Sequence, residues 1–343
     1  MPMLRRRFMA GLGAAAAMPT LHAQERVTLR LHQFLSPQAP SVRMGLLPWA
    51  RRLEQGSAGR IRVQAFAAMQ LGGRPSDLLD QARGGVVDLV WTVLGYTPGR
   101  FLRSEVFELP FLCGGAEAGS RAFQHYVQAH AMAEFEGLRL ICVHIHGPGW
   151  LHSRTPIRRL QDLKGMRVRG GSRVINRMLD HMGAVPVGMP APQISEALSK
   201  GVINAATLPM EVMPSLKVHQ IVRNHTGFAG GLGMYTQTFA LVMNQARYDS
   251  LPAGLRQVID AHSGVQAAAA FGRAMDEGDT AGIAQARQAG NTLLTLDAGE
   301  TRRWQQAAAS ARDAWLGQAK SQGIDGARLL AEAQRLLALE VKT

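Results

Sequence analysis

The pattern of apolar and polar positions predicts alternating strands and helices along the first part of the chain. Val27–His32 alternates apolar and polar residues, which is typical of a half-buried strand. Apolar residues at helical spacing then predict a helix over Val42–Gln55. The same signals, interrupted by paired glycines, predict a strand over Ile61–Phe66, a helix over Asp77–Arg83 and a buried strand over Val86–Val93. This rhythm predicts an α/β lobe.

The rhythm repeats in the second part of the chain, where turn residues delimit shorter elements. The predicted strands are Arg139–His146, Met166–Arg169, Val185–Val187, about Val202–Leu208 and Thr238–Met243, and the predicted helices are Val174–Met182 and Gln193–Lys200. From Pro252 onward the Ala- and Gln-rich sequence predicts mostly helix, with a stop around Gly290. We therefore expect two packed α/β lobes, with a chain that crosses between them more than once.

The first 23 residues have the pattern of a cleavable export signal. Arg5-Arg6-Arg7 precedes a short apolar run over residues 10–18, and Leu21-His22-Ala23 ends the stretch with a small residue. The apolar run is roughly half of the ~20 residues that a membrane span needs. The arginine pair with Phe8 resembles a twin-arginine signal, and general secretion is the alternative route. We expect a periplasmic protein, outside the pools of ATP and NADH that most intracellular enzymes need.

Charge and composition exclude some partners. The formal net charge is +13, but the Lys and Arg residues are scattered and aromatic residues make up only 6 % of the chain. Nucleic-acid binding needs clustered basic residues with interleaved aromatics, so we do not expect it. The positive charge is either a solvated surface or a field that attracts small anions.

Two cysteines, Cys113 and Cys142, leave their redox state open. The alternatives are a disulfide and two buried thiols, and the apolar neighbours of both cysteines favour the thiols. His144 and His146 could suggest zinc, but no Cys-x-x-Cys or His-Glu-x-x-His motif accompanies them. We expect neither a metal site nor a cofactor.

A series of short motifs resembles the solute receptors of TRAP transporters. The segment Asp162–Arg169 is similar to the "D-L-K-G-x-x-x-R" strand of that family, and Gly183–Pro190 is similar to its "G-A-x-P-x-x-M-P" segment. Further similar motifs occur in the family's order: Gln70–Gly73, Gly84–Asp88, Glu108–Phe111, Glu196–Asn204, Val242–Asn244 and Leu251-Pro252. Each motif alone is weak, but together they cover essentially the whole mature chain.

The resemblance implies a two-lobed periplasmic-binding-protein fold, type II-like, with a ligand cleft between the lobes and a long late helix. On this basis we expect lobe I to comprise residues 24–146 plus about 235–265, and lobe II residues 147–234 plus about 266–343. The resemblance also implies integral-membrane TRAP permease subunits as partners. We expect a monomer that captures an organic acid and delivers it to the permease.

Arg169 is the strongest candidate for a ligand-binding residue. It ends a predicted strand just before Gly170-Gly171, and a guanidinium offers two parallel donors to a carboxylate. In the family that Asp162–Arg169 resembles, the matching arginine binds the carboxylate of the solute. The alternative is a surface arginine paired with an acidic neighbour.

Two departures from the family pattern predict the class of solute. Gly147-Pro148-Gly149-Trp150 stands where the dicarboxylate receptors carry "G-x-R", so a second guanidinium is missing. Their "Q-E-N-P" segment is here Ala206-Thr207-Leu208-Pro209, so that Leu208 replaces an amide. A pocket without these groups favours a monocarboxylate, such as a 2-hydroxy, 2-oxo or aromatic acid.

Other candidates for the wall of the cleft are aromatic or polar residues at strand ends and in loops, where they could stack on or orient a solute. They are Phe34, Gln70, Trp91, Thr92, Tyr96, Trp150, His152, Ser172, Leu208 and Met210. Each has a structural alternative: Phe34 and Trp91 could be core residues, Tyr96 a loop cap and His152 a hydrogen-bonded structural histidine.

Catalysis is the rival function. The chain has no Gly-x-Ser-x-Gly nucleophile elbow, Glu211 is a lone candidate acid, and no orienting aspartate accompanies the pair Ser172 and His152. We therefore expect a receptor and not an enzyme. The alternatives are an exported hydrolase or lyase that uses the same cleft, and a receptor for another permease or a sensor kinase.

Overall fold

The computed structural model describes residues 26–340, so the predicted export signal over residues 1–23 lies outside the described residues. The strands are β1 Val27–Gln33, β2 Ile61–Phe66, β3 Leu89–Val93, β4 Leu138–Ile145, β5 Trp150–Ser153, β6 Arg167–Gly170, β7 Val185–Gly188, β8 Ala205–Leu208, β9 Asn224–Phe228, β10 Thr238–Asn244 and β11 Thr292–Leu296. The helices are α1 Leu47–Gly56, α2 Leu78–Arg83, α3 Ala116–His130, α4 Arg173–His181, α5 Ile194–Ser199, α6 Val218–Ile221, α7 Gln245–Asp249, α8 Ala253–Ala261, α9 Val265–Gln288, α10 Ala298–Ser321 and α11 Gly326–Glu340.

The first sheet forms the centre of lobe I and has the strand order β2-β1-β3-β10-β4. Strand β1 is parallel to β2 and β3, whereas β10 is antiparallel to both β3 and β4. Leu29 and Leu31 of β1 are fully buried, as expected for a strand with helices on both sides. The chain must therefore return from the other lobe to insert β10 between two earlier strands.

The second sheet forms the centre of lobe II and has the strand order β11-β9-β5-β8-β6-β7. Strand β6 is parallel to both of its neighbours, β7 and β8. Arg169 of β6 stands in register with Val187 of β7 and Ala206 of β8. Because α4 begins directly after β6, the end of this strand is an edge where side chains and a helix N-terminus meet.

The long helix α9 connects the two lobes. Its 24 residues give a length of about 36 Å, and it packs against α3 and β4 of lobe I and against β11 of lobe II. Glycines allow this close packing: a Cβ at Gly282 would lie 2.0 Å from the carbonyl oxygen of Met210. The described helices include none that is both long and apolar enough to cross a membrane.

The two-lobed α/β architecture expected from the sequence is confirmed, and the boundaries of β2 match the predicted Ile61–Phe66. The strand predicted over Val86–Val93 begins later, at Leu89, because Gly85 turns the chain with a φ of 73° and leaves Val86 exposed. The sequence did not predict β5, β9, β11 or α3. Helix α11 packs against α3 beside the first sheet, whereas the sequence placed about 266–343 in lobe II.

Candidate functional site: the cleft between the lobes

Arg169 lies at the base of the cleft with its guanidinium fully buried. Its Nε donates to the carbonyl oxygen of Met189 and its Nη1 to that of Thr207, both at 2.9 Å. Its Nη2 is buried and has no hydrogen-bond partner among residues 26–340. The two hydrogen bonds hold the guanidinium in place. Because a buried charged donor without an acceptor is unfavourable, the remaining edge of the guanidinium favours an anion.

Local structure holds Arg169 in this position. The hydroxyl of Thr207 donates to the carbonyl oxygen of Arg169 at 2.9 Å, which couples β8 to the end of β6. Ser172 then accepts the backbone N–H of Ile175 and begins α4. The chain thus turns sharply from strand to helix directly after the arginine, which brings the N-terminus of α4 to the cleft.

Two tyrosines flank Arg169. The hydroxyl of Tyr96 accepts the backbone N–H of Ala191 at 2.9 Å, a contact between lobe I and lobe II. Tyr235 is buried, and its hydroxyl has no hydrogen-bond partner in the described part of the chain. Burial raises the pKa of both tyrosines, and the nearby charge of Arg169 only partly opposes this rise. Both therefore remain neutral phenols that can donate to an anion.

A stack of aromatic rings forms the lobe I side of the site. Phe34 and Trp91 stack at 5.3 Å, Trp91 stacks on Phe239 at 5.3 Å, and His144 lies 4.9 Å from Phe239. Phe34 also meets Tyr96 edge to face at 5.4 Å. Tyr96 is in turn close to Arg169, so it connects the ring stack to the guanidinium.

Two buried histidines, His144 in β4 and His146 directly after it, are held neutral. His144 Nε2 accepts the indole N–H of Trp91 at 2.8 Å, and burial lowers the pKa of His144 to about 3. Burial lowers the pKa of His146 to about 4, with a further contribution from Arg169. Neither histidine therefore adds positive charge. Arg169 is the one Lys or Arg side chain that is buried within residues 26–340.

A cavity of about 670 Å³ opens between the lobes above this site. Tyr96 and Arg74 line it from lobe I, and Ser172, Asn176 and Met189 line it from lobe II. At its edge Glu108 of lobe I accepts the backbone N–H and the hydroxyl of Thr238 at 3.1 and 2.9 Å. Burial raises the pKa of Glu108 to about 7.

Of the residues singled out from the sequence, Tyr96 and Ser172 line the cavity. Arg169 is close to Tyr96, and Phe34 and Trp91 pack behind Tyr96 in the buried ring stack. Thr92 is buried too, but it follows Trp91 directly on β3, so its side chain points to the opposite face of the sheet. Gln70 is exposed, and its Oε1 accepts the backbone N–H of Ala67 at 3.0 Å, which closes a local turn. Neither Thr92 nor Gln70 is among the residues that line the cavity between the lobes.

The remaining expected wall residues belong to the packing of lobe II. His152 is in register with Ala206, two strands from Arg169 and about 10 Å away, and its ring bonds to His225 at 2.7 Å and to the Leu208 carbonyl oxygen at 3.1 Å. The side chains of Leu208 and Met210 are buried. Trp150 lines a separate cavity of about 150 Å³. Packing against other lobe II elements, which the sequence did not reveal, accounts for these differences.

The sequence analysis missed Tyr235, Gln237 and Phe239. They lie in or just before β10, which was predicted as a strand, but nothing local signals that this strand inserts between β3 and β4. The rival catalytic pair is also not assembled, because Ser172 caps α4 while both ring nitrogens of His152 have other partners.

The two cysteines are both free and buried, in agreement with the favoured alternative. Within residues 26–340 no group of three or more His, Cys, Asp or Glu side chains is arranged to hold a metal ion.

Comparisons with known proteins show the family to which the chain is similar. Residues 33–318 match the family described as bacterial extracellular solute-binding protein, family 7. A TRAP solute-binding protein from Rhodoferax ferrireducens, crystallised with copurified benzoate, is 44 % identical with a TM-score of 0.91, over 92 % of this chain and 99 % of that one. A marine metagenome TRAP solute-binding protein specific for aromatic acid ligands, with bound 3-hydroxybenzoate, is 40 % identical with a TM-score of 0.90 over the same shares.

A more distant relative also matches over nearly its whole length. The outer membrane transporter protein TsaT of Comamonas testosteroni is 26 % identical over 95 % of this chain and 96 % of its own length. The similarity therefore extends along nearly the whole chain and is not confined to one lobe.

Proposed function

The chain belongs to family 7 of the bacterial extracellular solute-binding proteins, and we propose that the solute it captures is an aromatic monocarboxylate. It is a solute-binding receptor of the TRAP type for organic acids. The observation that carries the proposal is the unpartnered Nη2 of buried Arg169 close to Tyr96, whose ring meets the ring of Phe34 edge to face. A carboxylate meets the guanidinium, and an aromatic remainder lies against the rings.

The charge of the site favours one carboxylate over two. Arg169 is the one buried cation in the described range, and the neutral His144 and His146 do not supply another. Three further arginines line the cavity, but Arg74 and Arg177 are exposed and Arg173 is paired with Glu105. A second carboxylate placed against the aromatic stack would lose its hydration without gaining a partner, which is costly. The solved relatives named above hold benzoate and 3-hydroxybenzoate, and a third, from Bordetella bronchiseptica and 29 % identical, holds mandelate.

The wider assignment follows from the family. We infer that the receptor acts in the periplasm as a monomer, closes its lobes on the acid, and releases it unchanged to integral-membrane TRAP permease subunits. Hinge closure of two lobes around a ligand is the usual mechanism of such receptors. An exported hydrolase or lyase remains the rival: it would convert the acid, which chromatography of the acid after incubation with the protein would detect.

Isothermal titration calorimetry tests the ligand class. The wild type should bind benzoate, 3-hydroxybenzoate and mandelate more tightly than succinate. Arg169→Ala should weaken benzoate binding about 100-fold or more, because it removes one partner of a buried charge pair. Arg167→Ala is the matched control: Arg167 lies two residues earlier on β6, is exposed, and bonds to the carbonyl oxygen of Gly201.

Two results would contradict the proposal. Tighter binding of succinate than of every aromatic acid would refute the argument from charge. Unchanged benzoate affinity in a folded Arg169→Ala protein would remove Arg169 from the site. Arg169→Lys keeps the charge but loses the planar donor pair, so it should bind benzoate with intermediate affinity.

A further inference from the structure

Gln237 of lobe I is held at the entrance to β10 by a neutral histidine. Its backbone N–H donates to His146 Nε2 at 3.0 Å, while His146 Nδ1 bonds to the carbonyl oxygen of Gly147 at 2.6 Å. A carbonyl only accepts, so Nδ1 carries the ring proton and Nε2 is the acceptor. Burial lowers the pKa of His146, which keeps the ring in this form. The backbone of Gln237 is therefore fixed.

The side chain of Gln237 reaches the loop of lobe II that follows Arg169. A Cβ at Gly171 would lie 2.3 Å from Gln237 Oε1 and 2.6 Å from its Nε2. A Cβ there would displace the amide of Gln237, so in this conformation the amide lies directly against Gly171. Gly171 is two residues beyond Arg169, so the amide of one lobe lies against the turn that carries the guanidinium of the other.

The amide of Gln237 differs from those of other buried glutamines. Gln33 Nε2 donates to the carbonyl oxygen of Leu35 at 2.8 Å, and Gln124 Oε1 accepts the backbone N–H of Val143 at 2.8 Å. Gln237 is 4 % exposed, yet its Nε2 has no hydrogen-bond partner within residues 26–340. Buried donors are nearly always paired, and an unpaired one costs about 1–3 kcal/mol.

We propose that Gln237 is a second donor to the carboxylate of the solute, so that one carboxylate joins Arg169 of lobe II to Gln237 of lobe I. This deepens the proposed function and rests on it. The two oxygens of a carboxylate accept about four hydrogen bonds, and each of these side chains has one buried, unpartnered N–H-bearing nitrogen. The family pattern lost an amide where Leu208 stands, and Gln237 supplies one from the opposite lobe.

A donor on the opposite lobe acts only after closure. The amide of Gln237 reaches the turn at Gly171 when the lobes meet, whereas Arg169 is presented by lobe II alone. The contact of Gln237 should therefore slow the release of the acid more than it speeds its capture. Arg169 should affect both rates, because it attracts the anion before closure.

Gln237→Met tests the proposal, because methionine has a similar size and shape but no donor. Benzoate should bind about tenfold more weakly by calorimetry, and the dissociation rate in stopped-flow displacement should rise by a similar factor. The free energy of unfolding of the ligand-free protein should not fall, since the substitution removes an unpartnered polar group. Gln245→Met is the matched control: Gln245 lies just after β10, and its Nε2 donates to Asp249 on the surface of α7.

Gln237→Glu gives a second readout that a structural role would not produce. The introduced carboxyl keeps the shape of the amide but can donate only when it is protonated. Benzoate affinity of this variant should therefore increase as the pH falls from 8 to 5, more steeply than that of the wild type.

The results separate this proposal from the proposed function. If Gln237→Met binds benzoate within twofold of the wild type while Arg169→Ala does not bind it, Gln237 is not a ligand donor and the proposed function stands. A Gln237→Glu variant with the pH profile of the wild type would also overturn this proposal. If the wild type itself fails to bind benzoate and other aromatic acids, the proposed function falls together with it.

Discussion

The carboxylate of Glu105 in lobe I forms an ion pair with the guanidinium of Arg173 in lobe II. The Glu105 side chain is 8 % exposed and that of Arg173 23 %, so the pair is largely shielded from solvent. Arg173 is the first residue of α4, directly after Ser172, and Glu105 lies three residues before Glu108. Both acids of this short segment thus face the N-terminal end of α4, and the contact exists only while the lobes are together.

Glu105→Gln should therefore weaken ligand binding without contact between residue 105 and the ligand. We expect about a fivefold increase in the Kd for benzoate, equivalent to ~1 kcal/mol for a partly buried pair. Small-angle scattering should show a more extended ligand-free protein. Glu196→Gln is the control, since Glu196 pairs with Lys200 within lobe II on an exposed surface. Equal affinities of wild type and Glu105→Gln would show that the pair does not favour closure.

Trp91 should contribute strongly to stability as well as to the site. It is fully buried, stacks on Phe34 and Phe239, and donates to His144. Trp91→Ala should lower the free energy of unfolding by about 3–5 kcal/mol, measured by urea denaturation. Trp91→Phe should cost less, because it keeps a ring in the stack and loses only the indole donor. A Phe variant less stable than the Ala variant would contradict this account of the stack.

Two buried acids, Glu211 beside α9 and Asp279 on it, should contribute stability at low pH that is lost as the pH rises. Asp279 Oδ1 accepts the backbone N–H of Glu211 at 2.7 Å. Burial, with a further contribution from Asp279, raises the pKa of Glu211 from 4.5 to about 8. Burial also raises the pKa of Asp279. Between pH 4.5 and about 8 this pair of acids holds a proton in the folded protein that it has lost in the unfolded chain. The pair therefore stabilises the folded state at low pH and stabilises it less as the pH rises.

Urea denaturation of the wild type and Glu211→Gln at pH 5, 6, 7 and 8 measures this effect, because the difference between the two proteins cancels the other buried titratable groups, such as Glu108 and the histidines. For one shared proton the free energy of unfolding of the wild type, relative to that of Glu211→Gln, should fall by roughly 1.4 kcal/mol per pH unit across the window. Glu277→Gln, an exposed position on the same helix as Asp279, should keep the wild-type profile. A difference that rises with pH across this window would show that the two acids are ionised and stabilised in the folded state.

The cysteines should be unreactive in the folded protein. Cys113 and Cys142 are both free and at most 3 % exposed, and burial raises the pKa of Cys113 to about 12. Because the thiolate is the reactive form, neither should react with Ellman's reagent in native buffer. Unfolding in guanidinium without a reductant should release two thiols per chain. Release of none would indicate a disulfide between them.

The sequence predicted the regular elements where hydrophobic periodicity was clear. Val27–Gln33 and Ile61–Phe66 alternate or bury their apolar residues, and both were found within one residue of the prediction. Strand β9, with the sequence Asn-His-Thr-Gly-Phe, carries no such signal. It becomes a strand because β5 and β11 supply hydrogen bonds on both sides. Short polar strands of this kind depend on their neighbours and not on their own sequence.

The candidate site was likewise predictable from the sequence only in part. By itself the sequence determined that an arginine ends a strand before two glycines and that aromatic residues follow β1 and lie in β3. It also showed no arginine within Gly147-Pro148-Gly149-Trp150, where the family pattern has one. Only the tertiary structure decided which distant segments surround that arginine. Strand β10 inserts between β3 and β4 and thereby brings Tyr235 near Arg169 and Gln237 against Gly171, whereas contacts within lobe II turn His152 toward His225. The physical reason is that local patterns fix which residues are buried, while the pairing of strands far apart in the chain fixes what each buried residue touches.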